Sequence, residues 1–259
     1  MIFVDTHCHL DDPKLIDGID KVVSDFRAEN VGIAIDMGCD VRTSLVVKGQ
    51  AEKYDGVYFA AGIHPSEVKD AKNNDLEKIA EIAKHDKCVA IGEIGLDYYW
   101  DTTFKEKQKE YFARQIALAY SLKLPINVHV REAMGDALEI LKQNKAKLGY
   151  GGVMHCYSGS VETAKELLKL GFYFSFGGTL TFKNSKNAVE VAKFLPKDRI
   201  LTETDSPYLA PEPVRGTVNS PKNIPFIAQK LADVRGEKIE ETAAYVLNNT
   251  LALFTKIKK

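Results

Sequence analysis

The sequence predicts an α/β fold, a (β/α)8 barrel of the TIM type, with residues 1–259 forming a single domain. Three observations carry this expectation. Eight short apolar runs recur along the chain, segments of helical period separate them, and unusual polar residues gather at the ends of the runs. Short strands alternating with helices imply parallel βαβ units, and their number matches the barrel. An open, doubly wound sheet is the competing arrangement.

The first run is MIFVDTHCHL at 1–10, followed by GIAIDMG at 32–38 and VYFAAGIHP at 57–65. A helix is expected over 75–86, with His85 near the end where a cationic ring suits the negative terminus. The fourth run is CVAIGEIGLD at 88–97. After it, 103–124 carries Phe104, Tyr111, Phe112, Ile116, Ala119 and Leu122 on one helical face. Thr103 and Glu106 have the spacing of a capping box at its start. The next runs are INVHVR at 126–131 and GVMHCYSG at 152–159. A helix over 160–170 meets Gly171, a natural residue for the position past a helix end. The last runs are FYFSFGG at 172–178 and ILTETDSPY at 200–208. Beyond them, 208–220 reads as a Pro/Gly-rich surface loop. Ser220-Pro221 opens a helix that Gly236 closes, and 239–254 makes the final one.

A hydrophobic content of 45% is ample for a large core. With 35 basic residues against 36 acidic ones the formal charge is −1, so no global field draws the chain to nucleic acid or membrane. A packaging or sliding protein is thereby disfavoured, whereas a phosphodiester gripped locally is not. Cys8, Cys39, Cys88 and Cys156 include no CxxC pair, and a core-rich chain needs no disulfide framework. They read as reduced thiols and small core residues. The N-terminus lacks a basic segment followed by a long apolar run, and no stretch approaches the ~18 apolar residues of a membrane span. A cytoplasmic location follows as the expectation, with no membrane and no obligate protein partner.

Function in such a barrel sits where the strands end. Of the six histidines, His7, His9, His64, His129 and His155 all fall late in apolar runs, as do Glu93, Glu203 and Asp205. Strand alternation sets Asp5, His7 and His9 on one face and turns Cys8 toward the helices; Glu203 and Asp205 likewise share a face. Imidazoles and carboxylates converging on one mouth form a ligand set for divalent ions of the Zn, Mn, Fe and Ni type. Magnesium, which prefers oxygen donors, suits it less. Glu203 is read as orienting a ligand imidazole. His64 is read as a substrate contact, and Arg131 as a phosphate contact or an orienting neighbour. Tyr98, Tyr99 and Trp100 either offer a base a stacking surface or pack their loop.

The blocks FVDTHCHLD, AAGIHP, IGEIGLDYYW, PINVHVRE, MHCYSG and ETDSPYLAP stand in this order between residue 2 and about residue 213. In this respect the chain resembles the TatD-related deoxyribonucleases of the amidohydrolase superfamily. The resemblance implies the barrel, two divalent ions (Zn, Mn or Mg), and hydrolysis of DNA or another phosphodiester. Carried over by position, His7 and His9 hold one ion, His129 and His155 the other, and Glu93 bridges them. Asp205 ligates the first ion and manages the proton of the attacking water. Glu93 also stands where relatives that cleave C–N bonds or phosphotriesters often carry a carboxylated lysine, which favours the nuclease branch.

Two departures from the family pattern bear on substrate. Gly135 occupies a position that is usually acidic, with Asp136 one step late, and Thr217 and Val218 replace two usual basic residues. The second change weakens any grip on a long phosphate backbone. The expectation is therefore exonucleolytic action on single-stranded or short DNA. Two other functions compete: hydrolysis of an ester or amide, such as an aminoacyl linkage, on the same site, and a metal-binding scaffold without catalysis.

Overall fold

In the computed structural model, which describes residues 1–258, every apolar run supplies a strand. They are β1 Phe3–Cys8, β2 Val31–Met37, β3 Val57–Ala61, β4 Cys88–Asp97, β5 Ile126–Arg131, β6 Gly152–Met154, β7 Phe172–Phe176 and β8 Ile200–Thr202. They form one sheet in the order β1 to β8, and every neighbouring pair is parallel. Past the end of β8, Asp205 donates its N–H to the His7 carbonyl (2.9 Å) and His9 donates its own to the Ser206 carbonyl (2.8 Å). A parallel bridge between Cys8 and Ser206 lies between them. The ring thus closes at its C-terminal mouth.

The helices are α1 Ile19–Ala28, α2 Val41–Lys53, α3 Asp75–Ile82, α4 Lys105–Leu122, α5 Met134–Gln143, α6 Val161–Lys169, α7 Lys186–Phe194, α8 Ile224–Arg235 and α9 Ile239–Leu253. Among the described residues no helix is long and apolar enough to cross a membrane. Gly171 and Gly236 close α6 and α8 with φ of 83° and 67°, as their positions in the sequence require. Apolar residues divide between the two faces of the sheet. On the inner face Val4, Ile33, Ile35, Met37, Ala60, Val153 and Leu201 pack together, joined by Val246, Leu253 and Phe254 of the α9 segment. On the outer face Phe59, Ile91, Val128 and Phe174 meet Phe26, Val47, Phe112, Leu167 and Leu231 of the helices. Each of the Val, Leu, Ile, Met and Phe side chains among them, when fully buried, contributes ~1.5–3 kcal/mol.

Some local expectations fail. The capping box at Thr103 does not form, because α4 starts only after Phe104 and the Thr103 N–H goes instead to Asp101. Helix α3 ends at Ile82, so His85 caps nothing; its ring lies 3.3 Å from Glu52. Two buried glutamines of α4 reach the strand ends instead. Gln115 accepts from and donates to the Ile63 backbone (2.7 and 3.0 Å), and Gln108 does the same at Asp97 (2.9 and 3.0 Å). A single helix thereby fixes the backbone next to His64 and at the end of β4.

Candidate metal centre

β5 alternates cleanly: Ile126 and Val128 pack outward, which leaves Asn127 and His129 facing in. β4 approaches it closely at Gly95, paired with His129 at a φ of 142°; a Cβ there would stand 1.9 Å from the His129 carbonyl. β1 behaves differently. A register shift between Asp5 and Cys8 breaks the alternation, so Asp5 does not join the histidines as the sequence suggested. Its carboxylate accepts from the Thr204 N–H and hydroxyl, while the next residue, Thr6, reaches Ser175 on β7. Cys8 does pack outward.

β6 and β8 are shorter than their runs, so His155, Glu203 and Asp205 lie beyond the strands, as does His64 beyond β3. Glu203 and Asp205 therefore do not share a strand face. Asp205 reaches the centre through a left-handed φ of 54°, a conformation Asp and Asn tolerate best. Asn219 braces that turn from both ends, donating to the carbonyls of Thr204 (2.9 Å) and Tyr208 (2.7 Å). The Asp205 carboxylate caps no turn; it faces His7 and His9.

Glu93 sits in the middle. Its Oε2 lies 3.4 Å from His7 Nε2 and 3.6 Å from His9 Nε2. Its Oε1 lies 2.9 Å from His129 Nδ1, 3.2 Å from His155 Nε2 and 3.6 Å from His64 Nε2. Asp205 Oδ1 closes the first side at 3.6 Å from His7 Nε2 and 3.5 Å from His9 Nε2. Within each of the sets His7–Glu93–His155, His7–His9–Asp205 and His64–Glu93–His129, the donor atoms lie within 4.8 Å of one another. His7, His9, His129 and His155 thus converge with Glu93 and Asp205, while Asp5 and Glu203 stand outside the cluster. His64 lies beside them on the cavity wall, and its Nδ1 bonds the Ser66 hydroxyl at 2.7 Å.

The outer nitrogens of the rings are held as well. His7 Nδ1 meets Asn127 Oδ1 (3.1 Å), His129 Nε2 meets Asp97 Oδ2 (3.0 Å) and His155 Nδ1 meets Glu203 Oε1 (3.2 Å). That Glu203 oxygen also accepts the Cys156 N–H at 2.6 Å, while Oε2 is buried without a hydrogen-bond partner. Sequence reasoning found Glu203 and missed Asn127 and Asp97. Both share strand parity with a singled-out residue, Asn127 with His129 and Asp97 with Glu93, and that was the signal available. Two cysteines also depart from the reading as core residues: Cys39 Sγ lies 3.8 Å from His9 Nδ1, and Cys156 Sγ lies 3.8 Å from the Thr179 hydroxyl.

Charge is shared across this cluster. Burial disfavours the ionised form of Glu93, yet the surrounding histidines outweigh it and hold the carboxyl well below its usual range. Burial likewise opposes the His155 imidazolium, but Glu203 and Glu93 prevail and push it up to about 9. His9 also moves up, because Cys39, Asp205 and Glu93 outweigh its burial. Burial drives His64 the other way, down to about 3, against the pull of Glu93 and with added repulsion from His129 and His9. At neutral pH His64 is uncharged.

The centre lies at the floor of a cavity of about 700 Å³ whose walls include Asp11, Arg42, Trp100, Arg131 and Tyr208. The ion-paired arginines Arg114, Arg199, Arg215 and Arg235 lie elsewhere; Arg42 and Arg131 form no ion pair among the described residues. Arg131 stacks its guanidinium 3.6 Å over the Tyr99 ring. Thr217 and Val218 do not line the cavity, and Arg215 lies over Phe182. Asp136, given no role from sequence, accepts from Tyr98 (2.7 Å) and Lys109 (2.9 Å).

Known proteins resemble this chain in sequence and in fold. A family model described as TatD related DNase matches residues 4–255. YabD of Bacillus subtilis, described as an uncharacterized metal-dependent hydrolase, is 43% identical over 254 residues, covering 98% of this chain and 99% of its own. YcfH of Escherichia coli K12, described in the same words, is 38% identical over 257 residues, covering 98% and 96%. Among solved structures, YjjV, a TatD homolog from Escherichia coli K12, superimposes with a TM-score of 0.93 at 31% identity over 98% of both chains.

Proposed function

The chain belongs to the TatD related DNase family, and on that premise we propose that it is a divalent-metal-dependent phosphodiesterase hydrolysing DNA from unpaired or short ends. The observation that carries the proposal is Glu93, one oxygen turned to His7 and His9, the other to His129 and His155. Imidazole nitrogens mixed with carboxylate oxygens suit Zn or Mn better than Mg. The buried, unpartnered Oε2 of Glu203 adds negative charge that cations balance. The residues therefore fit two ions. His7, His9, Asp205 and Glu93 Oε2 would hold one; His129, His155 and Glu93 Oε1 would hold the other. When bound, such ions supply Lewis acidity toward a phosphoryl oxygen and acidify water.

The side chains do the rest. Burial opposes ionisation of Asp205, but the His9 hydrogen bond and the charges of His155, His7 and His9 outweigh it, so the carboxylate is ionised at neutral pH. It is the group that accepts a proton from the attacking water and returns one to the leaving oxygen. Asn127, Asp97 and Glu203 hold their imidazoles in the orientation and tautomer a ligand needs. Arg42 and Arg131 offer unpaired guanidinium groups to phosphate oxygens. Neutral His64 presents Nε2 to the same space, free of the penalty a buried cation would carry.

The test is degradation of end-labelled single-stranded and duplex DNA by protein loaded with Zn, Mn or Mg, with chelator controls and a panel of esters and amides. Release of nucleotides from single strands, abolished by chelator, is expected. Metal-replete protein that leaves DNA intact while cleaving an ester or amide overturns the proposal in favour of another hydrolase. Inactivity on every substrate leaves a metal-binding scaffold.

A further inference from the structure

We propose that Trp100, backed by Tyr99 and Arg131, is a stacking platform for the nucleobase at the end of the strand being cleaved. This rests on the nuclease function proposed above and gives it a reason to prefer unpaired ends. Trp100 is 74% exposed and Tyr99 48%. An indole that served only to pack its loop would be covered by it. Instead it stands on the wall of the cavity that holds His64, Glu93 and His129, and it also borders a second pocket of about 110 Å³ with Pro65, Ser66, Lys69 and Asp101.

The platform is built rather than loose. Arg131 lies 3.6 Å over the Tyr99 ring and 5.4 Å from that of Trp100, and the two aromatic rings meet edge to face at 4.7 Å. On the preceding residue, Lys105 lies over the Tyr98 ring and Asp136 accepts its hydroxyl. The Tyr99 N–H is bound at 2.9 Å by Asp97 Oδ1, the partner oxygen of the one that meets His129. A single carboxylate thus fixes both the start of the platform and a ring of the metal centre. Beside Trp100 the apolar Pro65 and Phe104 alternate with Ser66, Lys69 and Asp101, a mixture that suits a planar ligand with an apolar face and hydrogen-bonding edges. Every base has a π-face, so stacking tolerates sequence, and a paired base inside a duplex has its faces already occupied.

Trp100 is the chain's sole tryptophan, so its emission reports the contact directly. Metal-loaded protein is titrated with deoxythymidine 5′-monophosphate and, separately, with deoxyribose 5-phosphate. Saturable quenching by the nucleotide alone is expected. Equal quenching by both, or by neither, overturns the platform. In parallel, Trp100→Ala and Trp100→Phe are assayed on single strands ending in a normal nucleotide or an abasic one. Alanine should lower kcat/KM roughly 5- to 150-fold on the base-bearing end and leave the abasic end unchanged, with phenylalanine recovering most of the loss. An equal loss on both ends marks a structural role and sinks the proposal. Full activity of Trp100→Ala sinks it too and leaves the surface to a protein partner. If the wild type cleaves neither strand, the nuclease function fails while the fluorescence titration still decides the base site.

Discussion

Exchanging Asp97 for asparagine replaces one oxygen with an NH2 group and should cost one metal ion most of its affinity. In the native chain Oδ2 meets His129 Nε2 at 3.0 Å while Oδ1 accepts the Tyr99 N–H at 2.9 Å. Burial pushes the carboxyl up, but the hydrogen bonds from His129 and Tyr99 outweigh it and keep it ionised. With an acceptor at Nε2, the neutral ring keeps its lone pair on Nδ1, the atom that faces Glu93. Asparagine has no good orientation here. If its oxygen keeps Tyr99, its NH2 faces Nε2, moves the ring proton to Nδ1 and abolishes that ligand. If its oxygen takes Nε2, its NH2 meets the Tyr99 N–H, donor against donor, at ~1–3 kcal/mol for the unmet group. Either outcome should weaken the His129–His155 site about 10- to 100-fold, which is ~1.4–2.7 kcal/mol. Competition with a chromophoric chelator measures both ions in turn, and the His7–His9 site should be unchanged. Equal affinities in mutant and wild type would refute the orienting role of Asp97.

Asp205→Asn should keep the left-handed turn and most of the bound metal, yet slow turnover by ~10²–10⁴-fold at saturating metal; a near wild-type rate per folded molecule would move the proton acceptor elsewhere. Glu203→Gln should cost less, about 10- to 100-fold in metal affinity or rate, and a loss equal to that of Asp205→Asn would contradict its supporting place behind His155. Metal uptake at pH 7 should release protons. With a pKa raised to about 9, the His155 ring is protonated there in the metal-free protein and must lose its proton to bind, so apparent affinity should climb as pH rises toward that value. Calorimetry in buffers of different ionisation enthalpy measures the release, and none at pH 7 contradicts the electrostatics. Binding of single-stranded DNA should depend weakly on salt, with a slope near −1.4 in log–log form, since Arg42 and Arg131 each contribute ~0.7; a slope several times steeper points to a larger basic surface.

How far the sequence reached depended on whether a side chain's direction follows from local periodicity. β5 shows it working: INVHVR alternates without interruption, and His129 faces inward as its parity demands. β1 shows the limit. The register shift that misdirected Asp5 arises from pairing with β2 and with the segment after β8, and neither neighbour is visible in FVDTHC. The same holds for β6 and β8. Their runs read as long strands because HCYSG and ETDSP are flanked by apolar residues, yet the chain leaves the ladder after Met154 and Thr202. Past those points only single backbone bonds continue the pairing, from His155 to the Val128 carbonyl, Glu203 to Phe176 and Asp205 to His7, while the side chains turn to the centre. Asp97 and Asn127 went unnoticed for another reason. A single carboxylate or amide on an apolar strand carries no pattern, and its role exists only through the imidazole beside it.

The position of the centre on the closure seam ties chemistry to architecture. His7 comes from the opening strand, His9 from just past its end and Asp205 from just past the last strand, and the backbone bonds joining those segments belong to these same residues and Ser206. An ion held by His7, His9 and Asp205, as proposed, would therefore link the two ends of the sheet directly. Closing the barrel assembles the ligands, and occupying them in turn favours the closed ring, because a ligand that binds only the folded state stabilises it by mass action. Glu93 extends that linkage to β5 and the end of β6 by sharing its two oxygens between the pairs of rings. Strands β2, β3 and β7 contribute no member of either proposed ion site; the inward positions Ile35, Met37 and Ala60 of β2 and β3 are apolar, and β7 places only the uncharged Ser175 against Thr6. The ionisable members of the proposed ion sites thus come from the segments that meet at the seam and from those facing it, where cations would balance their charge.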